Sequence, residues 1–251
     1  MSSTVAERFR HGNVFLVGDA AHQLPPSGGF GMNTAVQDAH NLAWKLAFVL
    51  HGRAGDELLD SYHDERAPIA RYNADRSLEN TRSVGRIRKR MERGRDADEV
   101  ADAVAESGRY GNWLGMDLGL RYDDGCLLPD GTEPPAVADP VSDYVDCGRP
   151  GHRAPHVASG DGGSTLDLYE RDFVAVLGSQ APIDATDLAD APGGALVHHR
   201  LSEADDGHER HGIDPTGALL VRPDGHVAWR VASDAGSPQI HDALRQLGLT
   251  R

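Results

Sequence analysis

Between residues 13 and 33 the chain changes its structural period, and no other feature limits the fold as much. Residues 13–17, N-V-F-L-V, form a short apolar run rich in β-formers that stops at Gly18 and Asp19. Such a run reads as a buried strand in a sheet covered on both faces. The stretch 20–31, A-A-H-Q-L-P-P-S-G-G-F-G, follows. Its prolines and glycines exclude regular structure and allow a ligand to approach the backbone closely. From about Met32, apolar residues recur at helical spacing: Met32, Ala35, Val36, Ala39, Leu42, Ala43, Leu46, Ala47 and Leu50, with Gly52 as the stop. Strand, acidic turn, glycine loop and helix in succession predict an α/β fold.

That succession suits an anionic or polarised ligand. A carboxylate at a strand end can accept hydrogen bonds from ribose or ribityl hydroxyls. The glycine loop brings backbone N–H groups close, and the helix N-terminus adds roughly half a positive charge.

Further along, a second helix starts near Asp56 and carries Leu58, Leu59, Tyr62, Ile69 and Tyr72, with Pro68 expected to kink or break it. Residues 82–95 are basic and read as a solvated helix face, offset by the acidic stretch 96–106. Residues 117–150, rich in Gly, Pro and Asp, read as loops and short strands joining two units. The last hundred residues predict strands at 164–168, 173–177, 196–199, 218–222 and 226–231. Helices are expected at 184–191 and 238–247, and Pro223-Asp224-Gly225 marks a hairpin. This order describes a small α/β layer unit.

Composition excludes several classes. With 25 Lys+Arg against 39 Asp+Glu the net charge is −14, which repels nucleic-acid phosphates on average. The apolar runs at 14–17 and 46–50 fall far short of the ~20 residues that a membrane span needs. Residues 1–11 lack the apolar core of a signal peptide, so the cytoplasm is the expected address. The two cysteines, Cys126 and Cys147, form no C-x-x-C. His198-His199 and the H-E-R-H run at 208–211 lack zinc-protease spacing, and no metal is expected.

The run VFLVGDAAHQLPPSGGFGMNTAVQDAHNLAWKL (14–46), followed by LLDSYHDER (58–66), closely resembles the second flavin-contacting motif of class A FAD-dependent aromatic hydroxylases. That group includes phenol, chlorophenol and polyketide hydroxylases. The stretches 150–156, 164–168 and 221–230 resemble the same family's C-terminal domain, which is thioredoxin-like but lacks the redox cysteine pair. The resemblance implies an FAD-binding remnant (strand, flavin loop and helices) over 1–110, a connecting segment over 111–150 and a thioredoxin-like domain over 151–251. It implies FAD as cofactor, NAD(P)H as reductant and a small aromatic or polyketide phenol as substrate. Within the motif, Gly18 and Asp19 match the turn whose carboxylate binds the ribityl chain. Pro26 matches the proline beside the substrate, and Gly28, Gly29, Gly31, Met32 and Asn33 match the loop and helix start that meet the flavin pyrimidine edge. No catalytic residue is assigned, and His22 reads equally well as a packing residue of the loop.

One departure is as informative. The G-x-G-x-x-G unit that opens this family is absent. Three or four hydrogen bonds from one loop, at ~0.5–1.5 kcal/mol each, compete with an association cost of ~4–15 kcal/mol. The chain by itself is therefore expected to bind FAD weakly or not at all. It reads as the C-terminal half of a hydroxylase, working with an N-terminal partner chain or as a homodimer. The alternative is a flavin-free descendant, a binding module or repurposed enzyme for polycyclic phenols, using Asp19, His22 and His63 or the histidine-rich C-terminal part. A remnant that only supports dimerisation is a third reading.

Overall fold

The computed structural model describes residues 3–92, 97–107, 111–158, 163–194, 196–204 and 206–250. Strands β1 (Thr4–Val5), β2 (Arg10–His11), β3 (Val14–Phe15) and β4 (His22–Gln23) form two antiparallel pairs, β1 with β4 and β2 with β3. The expected two-sided burial of residues 13–17 is not found. Phe9, Ala21, Leu42 and Tyr62 build a small core against one side of this segment, whereas Val14 is 62% exposed. These contacts come from one face only, and no second layer packs on the Val14 side among the described residues.

Helix α1 (Phe30–Leu50) begins two residues before Met32 and ends as the glycine signal predicts, with Gly52 at φ 68°. Its N–H bonds to Val49, and that of Arg53 to Phe48, closing the helix end. The apolar periodicity, however, does not mark the inward face. Met32, Val36 and Leu50 are 75%, 63% and 80% exposed, and Ala39, Ala43 and Ala47 are exposed on the same side. The buried face carries Thr34, Asp38, Asn41 and Lys45 among Phe30, Leu42, Trp44 and Phe48. The helix thus buries a mixed polar and aromatic face and leaves an apolar stripe outside.

A short 3-10 turn (Asp56–Leu59) leads into α2 (Ser61–Glu92), which runs unbroken through Pro68. Proline removes one helical hydrogen bond, but Tyr62, Ala67 and Ala70 are fully buried on both sides of it and hold the helix together. The basic stretch begins on the exposed end of α2 as expected; residues 93–96 lie outside the described residues. Helices α3 (Ala97–Ser107) and α4 (Leu114–Leu118) follow.

The C-terminal unit is built on β5 (Val174–Leu177), β6 (Val197–Arg200), β7 (Ala218–Val221) and β8 (Val227–Val231), with helices α5 (Gly207–His211) and α6 (Ser237–Gln246). The sheet order is β6-β5-β7-β8, with β5 and β6 parallel and the other neighbours antiparallel. The strand expected at 164–168 is instead a 3-10 turn (Thr165–Leu168). Ser164 Oγ accepts from the Leu166 N–H, and the Asp167 carboxylate accepts from the Ser164 N–H, a reciprocal cap that outcompetes extended pairing. The helix expected at 184–191 is likewise a 3-10 turn (Ala185–Leu188).

One core joins the two ends of the chain. Trp44 and Phe48 of α1 pack edge-on against Phe173, and the same cluster contains Leu177, Leu188, Ile240, Leu244 and Leu249. Among the described residues no helix is long and apolar enough to cross a membrane.

Candidate functional site

Gly18, Asp19 and Ala20 form a 3-10 turn after β3. Gly18 has φ 59°, and a Cβ there would lie 3.0 Å from the Ala35 Cβ, so conformation and space both demand glycine. The turn therefore sits directly on the second turn of α1. Asp19 is exposed, and its carboxylate has no hydrogen bond or ion pair among the described residues.

The loop between β4 and α1 is strapped down by the buried face of α2. Ser77 Oγ donates to the carbonyls of Pro25 (2.7 Å) and Ser27 (3.1 Å), Asn80 Nδ2 donates to Ser27 O, and Thr81 Oγ1 bonds Ser27 Oγ. Pro26 is exposed at the loop crest. Gly28 (φ 103°) admits no side chain, since a Cβ would lie 2.5 Å from the Phe30 ring and 2.8 Å from Asn80 Nδ2. Gly29 (φ 71°) caps α1, and neither Gly29 nor Gly31 would meet any atom within 4 Å if it carried a Cβ. The first turn of α1 holds no acidic residue, so no side chain of that turn neutralises its positive end, and Met32 and Asn33 there are exposed.

Of the eight residues singled out in the sequence, Gly28, Gly29, Gly31, Met32 and Asn33 lie at the start of α1, Pro26 on the loop before it, and Gly18 and Asp19 on the turn against Ala35; this set is the ledge. The set suits FAD: an unpaired carboxylate for hydroxyl groups, open glycine backbone for close approach, and an unneutralised helix N-terminus for a polarised ring edge.

His22 is not on this ledge. Its side chain is fully buried and its Nε2 lies 2.7 Å from Asp38 Oδ2. His63 accepts from the Phe9 N–H through Nδ1. His208 Nε2 accepts from the Ser179 N–H, and no three metal-binding side chains converge among the described residues. His22, His63 and His208 are thus each held in structural hydrogen bonds.

Sequence reasoning missed the polar interior behind the ledge. Arg222, one residue before the hairpin Pro223, binds Glu65 through both guanidinium nitrogens at 2.8 and 2.7 Å and Asp224 at 2.5 Å. Lys45 Nζ lies 2.8 Å from Glu65, and Trp44 Nε1 donates to Asp224. Arg66 Nε donates to Asp38 at 2.8 Å. Three buried cations, Lys45, Arg66 and Arg222, balance three buried anions, Asp38, Glu65 and Asp224. Burial would raise the Glu65 carboxyl, but Arg222 and Lys45 override it and hold the group at about 2. Burial lowers Lys45, against the pull of Glu65. The only sequence signals were charged residues at inward helical positions and a P-D-G that read merely as a turn. Elsewhere, burial pushes the Cys126 thiol up to about 12, which makes it unreactive.

Residues 1–77 match the model of an FAD binding domain, which sets the class of protein to which the ledge belongs. Residues 147–248 match the model of the aromatic-ring hydroxylase C-terminal domain. A putative polyketide hydroxylase of Streptomyces halstedii is 39% identical over 269 residues, covering 97% of this chain and 45% of the relative. The flavin-dependent monooxygenase PieE, solved with FAD and substrate, superposes with a TM-score of 0.85 at 34% identity, over 98% of this chain and 49% of that one. Aklavinone-11 hydroxylase, solved with FAD and aklavinone, gives 0.76 at 33% identity, over 98% and 45%. Both matched segments are thus similar to parts of FAD-dependent aromatic-ring hydroxylases. It spans about half the length of the relatives it matches.

Proposed function

We propose that this chain forms the FAD-contacting ledge of an NAD(P)H-dependent monooxygenase that hydroxylates an aromatic or polyketide phenol in the cytoplasm. The observation that carries the reading is the exposed, unpaired Asp19 carboxylate on a turn packed against the second turn of α1, a helix whose first turn holds no acidic residue. Asp19 would accept from a ribityl hydroxyl, the N–H groups of residues 30–32, which begin α1 without intrahelical acceptors, would serve the pyrimidine edge, and Pro26 would line the substrate side. FAD, when bound, supplies the redox and oxygen-transfer chemistry. Residues 1–110 make up the flavin-side unit and 151–251 a thioredoxin-like one, a division supported by the two family matches and by the β6-β5-β7-β8 sheet order.

Activity further requires a complementing polypeptide seated on the outer stripe of α1. An apolar stripe from Met32 to Leu50 left to water is unfavourable for a soluble chain, and the G-x-G-x-x-G unit is absent from these residues. The test compares the purified chain alone with the chain co-expressed with a polypeptide carrying a strand–G-x-G-x-x-G–helix unit from a relative. Retained flavin absorbance and NADPH-dependent hydroxylation of a polyketide phenol are expected only in the complemented sample. A complemented sample without flavin or product overturns the proposed activity, and near-stoichiometric FAD on the chain alone overturns the need for a partner.

A further inference from the structure

The Gly18–Asp19 turn has little to hold it in place locally. Its one short-range bond runs from the Ala21 N–H to the Gly18 carbonyl at 2.8 Å. Strand β1 holds the far end of the segment, through the Ala6 N–H to Ala21 carbonyl bond at 2.8 Å and the Val5–His22 pairing, and the Gly18 end is tied by a side chain of α1. Asp38 lies two turns into α1 on the inward face, fully buried. Its Oδ2 accepts from the Gly18 N–H at 3.3 Å and meets His22 Nε2 at 2.7 Å, while Oδ1 accepts from Arg66 Nε at 2.8 Å. One carboxylate therefore grips both ends of the segment 18–22, with Asp19 between them. Arg66 anchors the grip in turn, donating to the Thr34 carbonyl, Gln37 Oε1 and the Tyr122 hydroxyl.

We propose that Asp38 is a positioning residue that fixes how the Asp19 carboxylate is presented to the cofactor, a role that rests on the FAD reading above. The anion is required, not only its shape. Three donors converge on Asp38, and two of its partners, Arg66 and the turn backbone, are donors only. An asparagine amide would turn an N–H toward at least one of them and leave a buried donor unpaired. Because the Gly18 N–H is bound at the longest distance, it is the first contact to be given up, and the turn is released while the helices stay packed.

Asp38→Asn and Asp19→Asn are compared with the unaltered chain by hydrogen–deuterium exchange, and by FAD titration with and without the complementing polypeptide. In Asp38→Asn, exchange over residues 18–22 is expected to rise about tenfold, the scale of one lost bond to a charged group. Exchange in α2 and the β5–β7 core stays unchanged, and FAD binding weakens. Asp19→Asn weakens FAD binding without changing exchange. Unchanged exchange over 18–22 in Asp38→Asn overturns the proposal, as does released exchange with FAD binding intact. If the unaltered complemented protein holds no FAD, the functional reading fails, and exchange alone then decides whether Asp38 fixes the turn. Should Asp38→Asn not fold, Asp38→Glu keeps the charge opposite Arg66, displaces the oxygens and is held to the same exchange criterion.

Discussion

The guanidinium of Arg222 and the carboxylate of Glu65 meet in a two-pronged pair at 2.7 and 2.8 Å, although 157 residues separate them in the chain. Through this pair the hairpin of the C-terminal sheet is bolted to helix α2. Lys45 and Asp224 complete the contact, so neither charge is left alone in the interior.

Glu65→Gln removes the anion shared by Lys45 and Arg222 and leaves buried positive charge under-compensated. Breaking such a pair typically costs about 3–5 kcal/mol. Urea unfolding of Glu65→Gln should show a loss of this size, whereas Arg88→Ala, which removes the exposed ion pair with Glu92, should stay within about 0.5 kcal/mol.

Acid should weaken the fold in two separable windows. Burial lowers His152 from 6.5 to about 4. The unfolded chain therefore binds its proton first, and stability falls as pH drops from 6.5 towards 4. Glu65, held at about 2 against an ordinary 4.5, contributes stability that is complete above 4.5 and lost as pH falls towards 2. Denaturation midpoints measured from pH 7 to 2 should lose the first slope in His152→Gln and part of the second in Glu65→Gln.

The outer stripe of α1 should tolerate charge in the isolated chain. Met32→Glu with Val36→Glu removes no buried contact, so the unfolding free energy should shift by no more than about 0.5 kcal/mol. Light scattering should show less self-association at high concentration, and the double variant should fail to co-purify with the complementing polypeptide. Retained co-purification would mean that the partner seats elsewhere.

The two adjacent loop glycines should differ. Gly29→Ala meets no atom and carries only the left-handed backbone cost of about 1–2 kcal/mol. Gly28→Ala adds a clash with Phe30 and Asn80, so its thermal midpoint should fall further than that of Gly29→Ala, and exchange should rise over 25–31.

The sequence by itself determined the local features of this protein. Proline, glycine and the switch to helical spacing located the loop before α1, the end of α1 at Gly52 and the Pro223-Asp224-Gly225 hairpin, because each depends on backbone preferences of a few neighbouring residues. It also carried the family resemblance. Tertiary structure alone decided which face of α1 turns inward. Period 3.6 places Met32, Val36, Ala39, Ala43, Ala47 and Leu50 on one stripe, but periodicity carries no direction, and the interior chose the opposite side with Asp38, Asn41 and Lys45. The partners of those charges lie on distant segments, Glu65 on α2 and Arg222 on the C-terminal sheet. A buried charge is affordable only when its counter-charge arrives from elsewhere in the fold, and no local pattern announces that arrival.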